Sequence, residues 1–76
     1  MNLPSINPQL RFVNEGQITD YVFIVRPDTD KEIVDVDCYI DEEWNQEETM
    51  KGMSIENARA WWNNLVHNGY ERILTP

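Results

Sequence analysis

The stretch EIVDVDCYI, residues 32–40, alternates between two kinds of side chain. Val34, Val36, Cys38 and Ile40 fall on one side, and Asp35, Asp37 and Tyr39 on the other. A period of two is that of a β-strand, because successive side chains point to opposite faces of a pleated chain. The stretch therefore reads as a strand with one face in a core and one in water, and it requires partner strands. The nearest is YVFIV, residues 21–25, which is apolar on both faces and so belongs at the centre of a sheet. Between the two, Pro27-Asp28-Thr29-Asp30 forms a turn, with proline fixing φ and the aspartates able to bond their own backbone. Residues 10–13 make a short first strand, and Asn14-Glu15-Gly16 supplies residues that tolerate positive φ at the turn that follows.

Downstream, residues 41–53 read as a loop, long for a compact domain at about 13 residues. Ser54 then caps a helix whose first turn carries Glu56, a charge that the helix dipole favours. Ile55, Ala58, Trp62, Leu65 and Val66 fall within about 100° on a helical wheel, a core-facing stripe. Trp62, at its centre, is expected to be nearly buried. Asn57, Asn64 and His67 lie opposite, and Asn68-Gly69 is a helix stop after which Tyr70 can fold back on the last turn. Residues 71–74 add a short fourth strand. The fold class is thus α+β: a three- or four-stranded antiparallel β-meander packed against one C-terminal α-helix. We read residues 1–76 as one small domain, with residues 1–8, containing Pro4 and Pro8, as an irregular N-terminal arm.

The helix and its exit, ARAWWNNLVHNGYER (residues 58–72), resemble the ending A-R-x-x-W-x-x-L-x-x-x-G-[WY]-x-R of small uncharacterised cyanobacterial proteins built as a meander followed by one helix. Ala58, Arg59, Trp62, Leu65, Gly69, Tyr70 and Arg72 carry the match. The resemblance implies a fold and an organism group and no activity.

Size and composition narrow the function classes. A chain of 76 residues has room for one small core, since such a domain buries only about 60% of the surface exposed when unfolded, and a deep catalytic cleft is not expected. At 41% hydrophobic residues it is too apolar to remain disordered despite a net charge of −8. The first residues show neither a basic nor an apolar secretory region, and no long apolar run suits a membrane. The single Cys38 excludes an internal disulfide and suits a reducing compartment. The expectation is a cytoplasmic protein.

Residues 28–48 hold ten of the fourteen acidic residues and raise three chemical readings. An EF-hand loop starting at Asp28 would have Ile33 in place of its turn glycine and Tyr39 in place of its terminal glutamate, so the motif fails. A calcium-responsive protein built on looser carboxylate ligands is the weakest reading kept. Direct nucleic-acid binding is opposed by six basic against fourteen acidic residues. An acidic mimic of nucleic acid, inhibiting a basic protein, is the main alternative. Cys38 and His67 do not read as nucleophile and base, because Cys38 alternates with core residues and His67 sits on the polar helix face. Without a glycine-rich phosphate loop or paired cysteines, no catalytic residue, cofactor or metal ligand is assigned, and the chain is not expected to be an enzyme.

Apolar surface is the more informative signal. One helix cannot cover both faces of a sheet, so Tyr39 must share the outer face with one apolar row of the central strand, either Val22 and Ile24 or Tyr21, Phe23 and Val25. Trp61 lies at the margin of the helical stripe, and Trp44 lies in the acidic loop. Aromatic residues beside carboxylates suit an interface with an apolar centre and a charged rim. The expected function is a small acidic protein-binding module, an adaptor or regulator. It would use Tyr39, Trp44 and Trp61 as anchors and Glu42, Glu43, Glu47 and Glu48 as the rim. The expected partner is another protein with a basic surface, with self-association through the outer sheet face as a further mode.

Overall fold

The structure is a computed structural model that describes residues 8–26 and 33–73. Six strands and one helix are present among these: β1 (Gln9–Asn14), β2 (Gln17–Arg26), β3 (Ile33–Ile40), β4 (Glu43–Trp44), β5 (Met50–Ser54), α1 (Ile55–His67) and β6 (Glu71–Ile73). All strand pairings are antiparallel. The sheet runs β4-β3-β2-β1-β6, with β5 pairing β3 beside β4. The meander and its single helix are as the sequence predicts, with β6 as the expected fourth strand, while β4 and β5 bring the sheet to six strands in place of three or four.

The register shows how the sequence pattern divides the faces. Tyr21 pairs with Cys38, Phe23 with Val36 and Val25 with Val34, so the apolar row of β3 and the aromatic row of β2 share the face covered by α1. The core is made of Leu10, Tyr21, Phe23, Val34, Val36, Cys38, Ala58 and Leu65. Val22 and Ile24 pair with Asp37 and Asp35 and form the outer row. Of the two arrangements the sequence left open, this is the one observed.

Residues 41–53 are the main departure from the sequence reading. They form not a loop but a hairpin and a returning strand. Ile40 pairs with Glu43, leaving Asp41 and Glu42 as a two-residue turn with φ of 51° and 71°, the type I′ class. Such turns usually contain glycine or asparagine, and Asp-Glu carries no such signature. Asp41 is held in this conformation because it joins the β2 ladder: its N–H donates to the Ile18 carbonyl at 2.8 Å, and its Oδ1 accepts from the Ile18 N–H at 2.9 Å. The Glu15-Gly16 turn joins β1 to β2 with φ of 51° and 83°, as its glycine predicts.

The helix begins and ends as read from the sequence. The Ser54 hydroxyl accepts from the Asn57 N–H at 3.2 Å. At the other end Gly69, at φ 98°, lets its N–H donate to Val66 O at 3.1 Å and that of Tyr70 to Leu65 O at 3.0 Å, the paired bonds of a Schellman motif. Tyr70 then stacks on Phe12 with centroids 5.2 Å apart. Two details of the helical stripe are corrected. Trp62 is half-buried rather than nearly buried, because beside its T-shaped contact with Phe23 it borders an open cavity. Val66 is 48% exposed, because α1 rests on the sheet through Ala58 and Leu65. Pro8, placed in the N-terminal arm, is tied to the sheet, its carbonyl accepting from the Phe23 N–H at 2.9 Å. Residues 1–7 of that arm and the predicted turn at 27–30 lie outside the described residues.

Candidate interaction face

The described part of the acidic stretch divides into two chemically different halves. In the sheet, every described aspartate has a cation or backbone partner. Asp20, buried despite its charge, receives a two-pronged contact from Arg11, Nε to Oδ1 at 2.8 Å and Nη2 to Oδ2 at 3.1 Å. This is a direct cross-strand pair, since Arg11 and Asp20 are opposite in register, and the parallel forks of guanidinium and carboxylate suit it. Arg26 donates to Asp35 Oδ1 at 2.7 Å, and the Gly52 N–H donates to the same oxygen at 2.9 Å. The guanidinium beside it is the main cause that holds the Asp35 carboxyl below its ordinary range, with Gly52 adding to it against the opposing effect of burial. Lys51 Nζ donates to Asp37 at 3.0 Å. Asp35 and Asp37 are therefore ladder-closing groups between strands, neutralised where they stand.

The other half lies beyond Ile40. Glu42, Glu43, Glu47 and Glu48 are exposed, and none forms a salt bridge among the described residues. Their support is rigid. The Asn45 N–H donates to Cys38 O at 2.8 Å, while its side-chain oxygen accepts from the Glu48 N–H at 3.1 Å. The Thr49 hydroxyl donates to Asn45 O at 2.8 Å and accepts from the Cys38 N–H at 3.1 Å. The hydroxyl thus fills the ladder position left between β4 and β5. Residues 45–49 are pinned to β3 at both ends, which holds the glutamates outward.

Trp44 is opposite Tyr39 in register, so the two aromatic residues share one face, the outer one that also carries Val22 and Ile24. Trp44 is 51% exposed and Tyr39 half-buried. An open depression of about 400 Å³ lies beside Trp44, lined in part by Asp41, Glu43 and Asn45. The structure thus brings together Tyr39 and Trp44, with Glu42 at the adjoining turn. Glu43, opposite Ile40 in register, falls on the helix-covered side, and Glu48 acts electrostatically on Tyr21, Cys38 and Tyr70 of that same side.

It does not add Trp61. That ring packs edge-on against Tyr21 at 5.8 Å and 87°, on the helix-covered face, so it is a boundary of the core and separate from the Tyr39–Trp44 patch. Its indole N–H is enclosed with no acceptor among the described residues. Cys38 is fully buried and His67 is exposed at the end of α1. Burial pushes the thiol up from its ordinary pKa, which opposes the thiolate needed for nucleophilic chemistry. Among the described residues no three His, Cys, Asp or Glu side chains are grouped to hold a metal ion, and no helix is long and apolar enough to cross a membrane.

Arg59 and Arg72 are the residues that sequence reasoning passed over. They stand in a stretch read as packing and capping, and nothing in a linear pattern shows that a helix position and a β6 position converge. Compared with known proteins, the chain matches no family model, no curated protein and no solved structure, so a functional reading rests on its own chemistry.

Proposed function

We propose that the chain is a protein-binding module that docks a basic partner through Tyr39 and Trp44, with Glu42, Glu43, Glu47 and Glu48 as a steering rim. The observation that carries this reading is the half-exposed Trp44, set opposite Tyr39 on a face that α1 leaves open, in a sheet edge whose exposed glutamates form no salt bridge among the described residues. An aromatic anchor in a desolvated centre governs how slowly a complex dissociates, whereas rim charges act on the rate of encounter. The acidic-mimic alternative draws on the same glutamates but loses Asp20, Asp35 and Asp37, whose charges are already met within the sheet.

The test is surface plasmon resonance at low and high salt, with a partner recovered by pull-down. Trp44→Ala and Tyr39→Ala should raise koff, by about tenfold or more for an anchor worth over about 1.4 kcal/mol. Neutralising Glu42, Glu43, Glu47 and Glu48 should slow kon and flatten its salt dependence. A complex that survives loss of both aromatics, collapses without the carboxylates and is displaced by DNA would establish the nucleic-acid mimic instead. A shift of the free protein to a dimer that Trp44→Ala abolishes would identify a second copy as the occupant.

A further inference from the structure

The opposite side of the sheet carries a second feature, independent of the Trp44 face. Between the first half of α1 and the ends of β2 and β3 lies an open cavity of about 340 Å³, walled by Phe23, Val34, Ile55 and Trp62 and bordered by Arg59 and Arg72. Ile55 and Trp62 belong to the core-facing stripe of α1, yet both remain only half-buried. The cavity is why: the stripe is wider than the surface the sheet fills. Trp62 stands as one wall, edge-on to Phe23 at 5.0 Å and 74°.

The two arginines make this more than an apolar gap. Three of the five described basic side chains, Arg11, Arg26 and Lys51, are paired with sheet aspartates. The remaining two, Arg59 and Arg72, form no ion pair among the described residues, in a chain of net charge −8, and both border the same cavity. They come from different elements. Arg59 follows the buried Ala58 on α1, and Arg72 on β6 is opposite the buried Leu10, which places it on the helix-covered side. An apolar slot with a few convergent polar groups is the usual form of a small-ligand site, and this volume is at the low end of the usual range of about 300–1,000 Å³. Two unpaired guanidinium groups select a planar anion that can accept their paired N–H donors.

We propose that this groove binds a medium-chain carboxylate, its apolar tail along Phe23, Ile55 and Trp62 and its carboxylate on Arg59 and Arg72. The volume accommodates about eleven groups of water size at about 30 Å³ each, which suits an acid of about eight to ten carbons. The protein's net negative field opposes anions at a distance, so selectivity for the acid is attributable to the two arginines alone.

The experiment titrates the whole protein with octanoate, octan-1-ol and octylammonium, using tryptophan fluorescence for affinity and ¹H–¹⁵N NMR shifts for location. Octanoate should bind at least about tenfold more tightly than either isosteric control, with shifts centred on Phe23, Ile55 and Trp62. Arg59→Gln with Arg72→Gln should remove that preference while leaving octan-1-ol binding and the circular dichroism spectrum unchanged, since both side chains are exposed. Trp44→Ala should not affect octanoate binding, which keeps this site distinguishable from the interaction face. Equal binding of the three probes would overturn the proposal, as would a preference that survives in the double variant. Shifts centred on Tyr39 and Trp44, or NMR contacts showing one of the chain's own terminal segments in the groove, would overturn it too.

Discussion

At the residue scale, the two neighbouring tryptophans of α1 have opposite chemistry. Trp61 encloses its indole N–H without an acceptor among the described residues, and a buried donor left unpaired costs about 1–3 kcal/mol. Trp61→Phe removes that donor while keeping an aromatic edge for Tyr21, so urea denaturation should show a change within about 1 kcal/mol despite the smaller ring. Trp62→Ala removes apolar contact with Phe23 and should cost more, though below the roughly 3–5 kcal/mol of a fully buried aromatic, because Trp62 borders an open groove. The wheel placed Trp62 at the centre of the stripe correctly. What a wheel cannot show is how much sheet lies opposite, and that sets burial.

At the element scale, the turns decide how far the sequence is readable. Glu15-Gly16 and Asn68-Gly69 announce themselves, because glycine at positive φ is what those positions need. Gly69→Ala should destabilise by about 1 kcal/mol, measured as a lower Tm, from backbone strain at φ 98°, since the new methyl would meet Phe12 only in ordinary contact at 3.4 Å. Asp41-Glu42 gives no such announcement. Its geometry is imposed by tertiary bonds to Ile18, and that is why residues 41–53 read as a loop while two strands lay within them. Glu42, at φ 71°, has no comparable bond to hold it, so Glu42→Gly should stabilise the fold by about 0.5–1 kcal/mol. Thermal unfolding would show the gain as a rise of about 2–8 °C for a chain of this size, and no rise would mean that Glu42 makes compensating contacts. The candidate face depends on the same hairpin: the alternation of residues 32–40 already placed Tyr39 and the aspartates on the outer side and Trp44 was already a candidate anchor, but only the turn at Asp41 sets Trp44 opposite Tyr39.

At the scale of the whole molecule, ionisation couples the two halves of the sheet to pH in opposite directions. Asp35, beside Arg26 and the Gly52 N–H, has its pKa lowered in the folded state. As pH falls below the ordinary carboxylate value of about 3.9, the unfolded chain takes up this proton before the folded chain does, so stability present at higher pH is lost towards acid. Tyr21, Cys38 and Tyr70 have their pKa values raised, in each case chiefly by burial. Above the ordinary thiol and phenol values of about 8.5 and 10, the unfolded chain releases protons that the folded chain retains, so stability present at neutral pH is lost towards alkali. Urea unfolding across a pH series should therefore show a plateau that falls at both ends. Asp35→Asn should flatten the acid limb selectively, at the cost of weakening the contact with Arg26. Tyr21→Phe keeps the ring in the core and should reduce the slope above about pH 10, leaving the earlier fall that begins near 8.5 to Cys38. Stability that rises between pH 9 and 11 in the parent protein would mean that these side chains are open to water, contradicting the packing of α1 on the sheet.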